Sequence, residues 1–467
     1  PMLLIGILIN NTGLVYSALA FTAFLIPLYV GLRRRAGFDP FEPINMVAFA
    51  IFFGSTIRSV WILLSDSDRV SHVMWKTTFD DVVWNMPLIL LSVLALTIGY
   101  AIFPARIKIE NIKIIRDFSL TKQRFWFAVS LAVLTSLVGI PWMIAQLGIS
   151  FDAGLAGASQ KHLAVYTDDT GGTIYGSGYQ QFLAFTSAHA FIFLGAAMIA
   201  GIIAMRPRAL VALSVIGALA IITPFLLSSR SLIFLIFFNL GIVAFYYQRI
   251  SIRTLIIITF VSVPFFTVMG DIRELNQKSA SGTQSTTAID RIIGSGNSID
   301  FVRTSAIMDR VPEQTDHLFG RSYLALIAAP IPRAVWPDKP QVGLGGYVKG
   351  EIFGEKVRLN GWPSGMIAEG WINFGLFGLL LPLLLFGMLL RLGYESVRPW
   401  LGVSFPVTLL YSVAAFRLGF DTIGLNFAHG IMQTLVFVLP MLLLLIIARK
   451  PAGRAFRQTG GQAVPAE

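Results

Sequence analysis

Residues 366–390 read Met366-Ile367-Ala368-Glu369-Gly370-Trp371-Ile372-Asn373-Phe374-Gly375, then Leu376-Phe377-Gly378-Leu379-Leu380-Leu381-Pro382-Leu383-Leu384-Leu385-Phe386-Gly387-Met388-Leu389-Leu390. One carboxylate, Glu369, interrupts a run long enough to cross a bilayer, which takes about 20 helical residues. A helix apolar all round over that length belongs in hydrocarbon rather than on a soluble surface. The pattern recurs along the chain. Spans are expected at Leu14–Leu32, Ile44–Leu64, Val83–Phe103, Phe125–Leu147, Phe182–Met205, Leu210–Leu227, Leu232–Tyr247, Ile252–Val268, Met366–Leu390, Val403–Leu418 and Ile431–Ala448. Composition agrees: 55% of residues are hydrophobic and only 13% charged, with mean hydropathy +0.71. A soluble chain of this size needs a far more charged surface. The expected fold is an all-α polytopic membrane protein with about eleven transmembrane helices.

The connections set the expected orientation. Arg33, Arg34 and Arg35 follow the first span, and Arg106, Lys108, Lys113, Arg116, Lys122 and Arg124 follow the third. Arg206 and Arg208 follow the fifth, Arg249 and Arg253 the seventh, Arg391 and Arg398 the ninth, and Arg449, Lys450, Arg454 and Arg457 the last. Alternate loops are poorer in cations, so the odd connections and the C-terminus are expected in the cytoplasm and the N-terminus outside. The net charge of +11 therefore reads as loop asymmetry and not as a nucleic-acid surface. No basic residue precedes the first apolar segment, so a cleaved signal peptide is not expected.

Four regions follow: residues 1–269 with eight spans, a long outer loop over 270–365, residues 366–448 with three spans, and a cytoplasmic tail over 449–467. The long loop mixes charges with short apolar runs such as Tyr323–Ala329. It is expected to form an ordered, partly helical cap, since loops of that length are commonly functional. A second outer loop covers Gly148–Tyr179. No internal repeat stands out, which counts against inverted-repeat transporters.

Charges in or beside spans are costly and therefore informative. Arg58 lies in the outer half of the second span, Arg230 in the outward turn Ser228–Ser231, Arg273 past the eighth span, and Arg417 at the outer end of the tenth. With Arg303, Arg321, Arg333 and Lys339 of the long loop, they gather at the outer face. Guanidinium forks match phosphate oxygens, so a site for an anionic group at headgroup level is expected; snorkelling and local ion pairs, such as Arg417 with Asp421, are the alternative. Glu369, one turn inside the ninth span, is the sharpest candidate for a general base, or else the partner of Arg333 or Arg358. Asp338 and His317 are weaker candidates. Trp336, Tyr347, Trp362 and Trp371 suit sugar stacking or the interfacial belt.

The chain has no cysteine and five histidines, which excludes thiolate and Cys–metal chemistry. Neither a phosphate-binding glycine loop nor a metal-ligand spacing occurs, so no cofactor and no metal are expected.

Gly320-Arg321-Ser322-Tyr323, the run Pro330-Ile331-Pro332-Arg333-Ala334-Val335-Trp336-Pro337-Asp338-Lys339-Pro340, and Pro363-Ser364-Gly365 followed by Glu369-Gly370-Trp371-Ile372-Asn373-Phe374-Gly375 resemble the Wzy-type polymerases of O-antigen and exopolysaccharide repeat units. So does the turn Ser228-Ser229-Arg230-Ser231, with Gly241 spaced after Arg230 as in some members. The resemblance implies a GT-C-like glycosyltransferase fold similar to that of O-antigen ligases, in the bacterial inner membrane. It implies metal-independent, inverting transfer between undecaprenyl-diphosphate-linked oligosaccharides at the periplasmic face, with a flippase and a chain-length regulator as partners. Arg230 and Arg333 would then hold the diphosphate, supported by Arg58, Arg273, Lys339 and Arg417. Glu369 would act as base or orient the acceptor. An O-antigen ligase, a lipid-linked oligosaccharide flippase and a non-catalytic assembly partner remain the alternatives.

Overall fold

The structure is a computed structural model and describes residues 2–34, 37–65, 74–102, 107–109, 118–147, 166–167, 173–174, 182–227, 229–254, 257, 293, 300–329, 331, 335–336, 339–340, 342–355 and 361–450. Among the described residues, eight helices are long and apolar enough to cross a membrane: Thr12–Leu32, Pro43–Leu64, Phe79–Ile102, Lys122–Ala145, Phe182–Ile199, Pro207–Leu226, Gly365–Trp400 and Phe427–Ala448. Shorter helices over Arg230–Tyr246 and Phe405–Phe416 stand in the places of the seventh and tenth expected spans, the latter prolonged by a π turn over Arg417–Asp421. The eighth, Ile252–Val268, lies almost wholly outside the described residues. The fold is that of a helical, polytopic membrane protein. Strand pairing within a sheet is confined, among the described residues, to Tyr166–Thr167 with Thr173–Ile174.

The helices pack in two groups. The first three spans and the helix Gly365–Val397 share one core, from Tyr16, Ile44 and Met86 to Leu379, Leu383 and Phe386. A second core runs from Phe125 and Phe193 to Leu235, Leu409, Phe437 and Met441. Close approach between membrane helices relies on small residues at the crossing. Here a Cβ on Gly99 would lie 2.0 Å from the carbonyl oxygen of Leu384, and one on Gly387 2.1 Å from that of Leu96.

Polar contacts gather the helix ends in two places. At one end, Arg34 meets Glu42 and Glu395, Tyr100 donates to Glu42, and Tyr246 and Tyr394 donate to Asp39. Lys450 N reaches Ser119 O at the same end. These are the ends joined by the basic connections. At the other end, the helix Phe301–Met308 of the long loop meets the start of Phe79–Ile102 through Asn85 and Ser305. Trp371 donates to Val311 O there, and Asn426 to Val342 O. The long loop is helical over Phe301–Met308, Arg321–Ala328, Gly345–Tyr347 and Val348–Ile352. Ala306, Ile307, Leu344 and Val348 bury it against Ala368 and Ile372.

The ninth span differs from its expected form. Inside Gly365–Val397, Phe374 (φ −141°) and Gly375 (φ 56°, ψ −133°) leave the helical region, and the second combination is open only to glycine. The chain turns sharply there. A Cβ on Gly378 would come 1.8 Å from Gly370 O, whereas residues eight apart in a straight helix are separated by about 12 Å. Residues 365–373 thus form a separate short helix, and the span proper is 376–397. Glu369 lies on the short helix, not one turn inside a continuous span.

Both glycine crossings make the packing testable. Gly387→Leu is expected to cost about 1–3 kcal/mol by overpacking, read as a lower unfolding temperature in detergent. Gly393→Ala, where an added Cβ meets nothing within 4 Å, is expected to leave it unchanged or raise it.

Candidate functional site

The short helix 365–373 has its C-terminal carbonyls capped by the loop that passes it. Leu318 N donates to Ile372 O at 3.0 Å and Phe319 N to Asn373 O at 3.1 Å. Gly320 N, in a residue at φ 88°, donates to the side chain of Asn373 at 2.9 Å. The next turn opens the helix Arg321–Ala328 and carries Ser322 inward. Ser322 Oγ donates to Glu369 Oε1 at 2.7 Å, while Asn373 Nδ2 donates to Ser322 Oγ at 2.7 Å and to Glu369 O at 2.8 Å. The second carboxylate oxygen accepts from Phe427 N, in the first turn of the last span, where the helix dipole favours an anion. Glu369 is fully buried, and a buried carboxylate needs such donors. Asn426, which precedes Phe427, binds the loop through Val342 O and Leu344 N. Glu369 thus joins the long loop, the short helix and the last span.

A second polar cluster lies at the start of the helix Phe301–Met308. Asp300 caps that helix through Val302 N. It also accepts from Trp75 Nε1 at 2.9 Å and pairs with Arg58 at 3.5 Å. Arg303 lies 5.1 Å above the Trp75 ring. Both arginines are about 1% exposed. Burial, aided by Arg58 and opposed by Asp300, pulls the Arg303 guanidinium down to about 10, so it stays charged at neutral pH. Arg58 stands two residues past a π turn over Phe52–Thr56, and Arg417 opens another; π turns insert a residue and re-aim the side chains beyond them.

The remaining expected residues divide. Arg417 pairs with Asp421 and lies 5.0 Å from the Phe437 ring. Lys339 reaches the carbonyls of Ala329 and Ile331 at 3.0 and 2.7 Å. His317 Nδ1 stands 3.3 Å from Ile372 O, beside the carboxylate network. Arg230 begins the helix Arg230–Tyr246, but its side chain lies outside the described part. Arg273, Arg333, Asp338 and Arg358 lie outside the described residues altogether. Among the described residues, no group of three or more His, Asp or Glu could hold a metal ion.

Ser322 and Asn373 sit inside stretches already singled out in the sequence, but their meeting is tertiary. Asp300 carried a usable signal, an Asp at the start of an apolar helical run. Trp75 and the π turns carried none. At the basic end, Arg34, Arg391 and Arg398 face Asp39, Glu42 and Glu395, with Glu395 bridging the three arginines. Among the described residues, the network sets three cations against three carboxylates and reads as a clamp between helix ends.

Two thermal-unfolding experiments probe the clusters. Asp300→Ala removes the carboxylate that two buried guanidinium groups share and is expected to destabilise by about 3–5 kcal/mol. Glu369→Gln and Ser322→Ala are each expected to cost about 1–3 kcal/mol, and their double variant less than the sum, with coupling of about 0.5 kcal/mol or more. Strict additivity would sink the network.

Comparison with family models, with curated proteins and with solved structures finds no match, so the functional reading rests on the residues and geometry above.

Proposed function

We propose that this chain polymerises undecaprenyl-diphosphate-linked oligosaccharide repeat units into O-antigen or exopolysaccharide, as a multi-pass enzyme of the bacterial inner membrane. The N-terminus is periplasmic and the C-terminus cytoplasmic. The observation that carries the reading is the meeting of two family-like stretches, Gly320–Tyr323 and Glu369–Gly375, in one buried network. That network lies at the end of the bundle opposite the basic connections, and Arg58 and Arg303 lie at that same end; the π turn that Arg417 opens packs deeper, with Gly419 against Pro43 and Met46.

In the proposed reaction the nascent chain is the donor. A hydroxyl at the non-reducing end of a new unit attacks its C1, the bond to undecaprenyl diphosphate breaks, and the hydroxyl proton passes to a base. The diphosphate leaves with the electron pair. Arg230 and Arg333 are assigned to the leaving diphosphate, with Arg58, Arg273, Lys339 and Arg417 setting the surrounding potential; fixed cations at a developing charge are usually the largest contribution to such catalysis. Glu369 is assigned as base or acceptor-orienting group. Its hydrogen bonds to Ser322 and Phe427 N favour orientation, because a base must free a lone pair for the incoming hydroxyl.

The test uses purified protein with undecaprenyl-diphosphate-linked repeat units, no nucleotide sugar, and chelator present. A ladder of glycan products is expected, and Arg230→Ala is expected to lower the rate about 10²–10³-fold. Orientation by Glu369 predicts that Glu369→Gln lowers activity without moving the pH profile; a base predicts loss of the acidic limb. No ladder, but transfer of whole glycan to lipid A core, would replace polymerase by ligase.

A further inference from the structure

The loop helix Arg321–Ala328 is amphipathic in an inverted sense. Its inner side carries Ser322, Ala325 and Ala328, all buried, which are small enough to let it lie close to the helices beneath. Its outer side carries Leu324 and Ile327, 59% and 74% exposed. A helix on a soluble surface shows the reverse arrangement, with large apolar groups inward and polar groups outward. Phe319 before the helix and Val335 after it are equally bare, at 74% and 75%.

This patch is continuous with the wall of the ninth span. Tyr323 stacks against Phe374 with ring centroids 6.4 Å apart, and Phe374 meets Phe377 at 6.3 Å. Gly320 lies against the same Phe374 ring. Phe377 and Leu376 are exposed on the span 376–397, where hydrocarbon is the surrounding solvent. An apolar surface that runs from the span, through Phe374 and Tyr323, onto the loop helix has one occupant in keeping with it.

We propose that Arg321–Ala328 is an interfacial helix whose Leu324–Ile327 face is embedded in the acyl region of the adjacent leaflet. Arg321, exposed at its start, stays at the level of the lipid phosphates, and apolar burial with a flanking cation is how such helices bind membranes. The consequence concerns depth. Ser322, on the opposite side of the same helix, holds Glu369, so the leaflet itself fixes the level of the carboxylate network. This holds whatever reaction the site performs.

The absence of cysteine allows a clean measurement. A nitroxide is attached in turn to Ile327→Cys, Leu324→Cys, Phe377→Cys as the lipid-facing reference, and Glu313→Cys as the exposed loop reference. Protein is reconstituted in phosphatidylethanolamine–phosphatidylglycerol vesicles, and collision rates with oxygen and with a water-soluble nickel chelate are compared. The oxygen-to-nickel ratio at 327 and 324 is expected near that at 377 and several-fold above that at 313. A ratio nearer the Glu313 site overturns the proposal, since the face is then in water. So does low collision with both reagents, since the face is then covered by protein.

Discussion

Glu369 is shut off from water by the protein packed around it, and a carboxylate so buried must be solvated by the protein's own donors. Glu369 meets that requirement with a hydroxyl from the long loop and a backbone N–H from the last span. Much of the surrounding architecture follows from bringing those two donors to it. The chain turns at Phe374–Gly375, which swings residues 365–373 out of line with the span. The last carbonyls of that short helix are then capped by the N–H groups of Leu318 and Phe319 in the passing loop. That loop in turn delivers Ser322. Asn373 closes the circuit by donating both to Ser322 and to the helix itself.

The two ends of the bundle handle charge differently. At the basic end, arginines and carboxylates interlock, with tyrosine hydroxyls completing the carboxylates' hydrogen bonds. Such a network holds helix ends in register. At the loop end, Arg58 and Arg303 share Asp300, and cation–aromatic contact with Trp75 offsets part of the cost of burying the second guanidinium.

Several features were legible in advance because they depend only on local composition. Apolar runs located the spans, and most helix ends fall within a few residues of their expected places. The Arg417–Asp421 pair, one helical turn apart, was visible as spacing. The glycine at 375 was visible as a residue, but its meaning was not. A glycine inside an apolar run is common in membrane helices, and only the positive φ shows that the helix breaks there and Glu369 leaves the span. Ser322 likewise reads as an ordinary helix-start serine until its partner, some fifty residues on, is known.

The sequence by itself determined that this is a helical, polytopic membrane protein, where its eight long apolar helices run, and which connections are basic. Those properties follow from the one-dimensional pattern, because hydrocarbon selects apolar runs of fixed length and charge sorts loops by sign. Only the tertiary structure decided that Glu369 belongs to a short helix lying outside the span, that it is shared by loop and last span, and that Asp300 gathers Arg58 and Trp75. Those depend on contacts between residues far apart in the chain, set by a single backbone turn at Gly375 and by π turns that shift the facing of the residues after them. No local pattern encodes either.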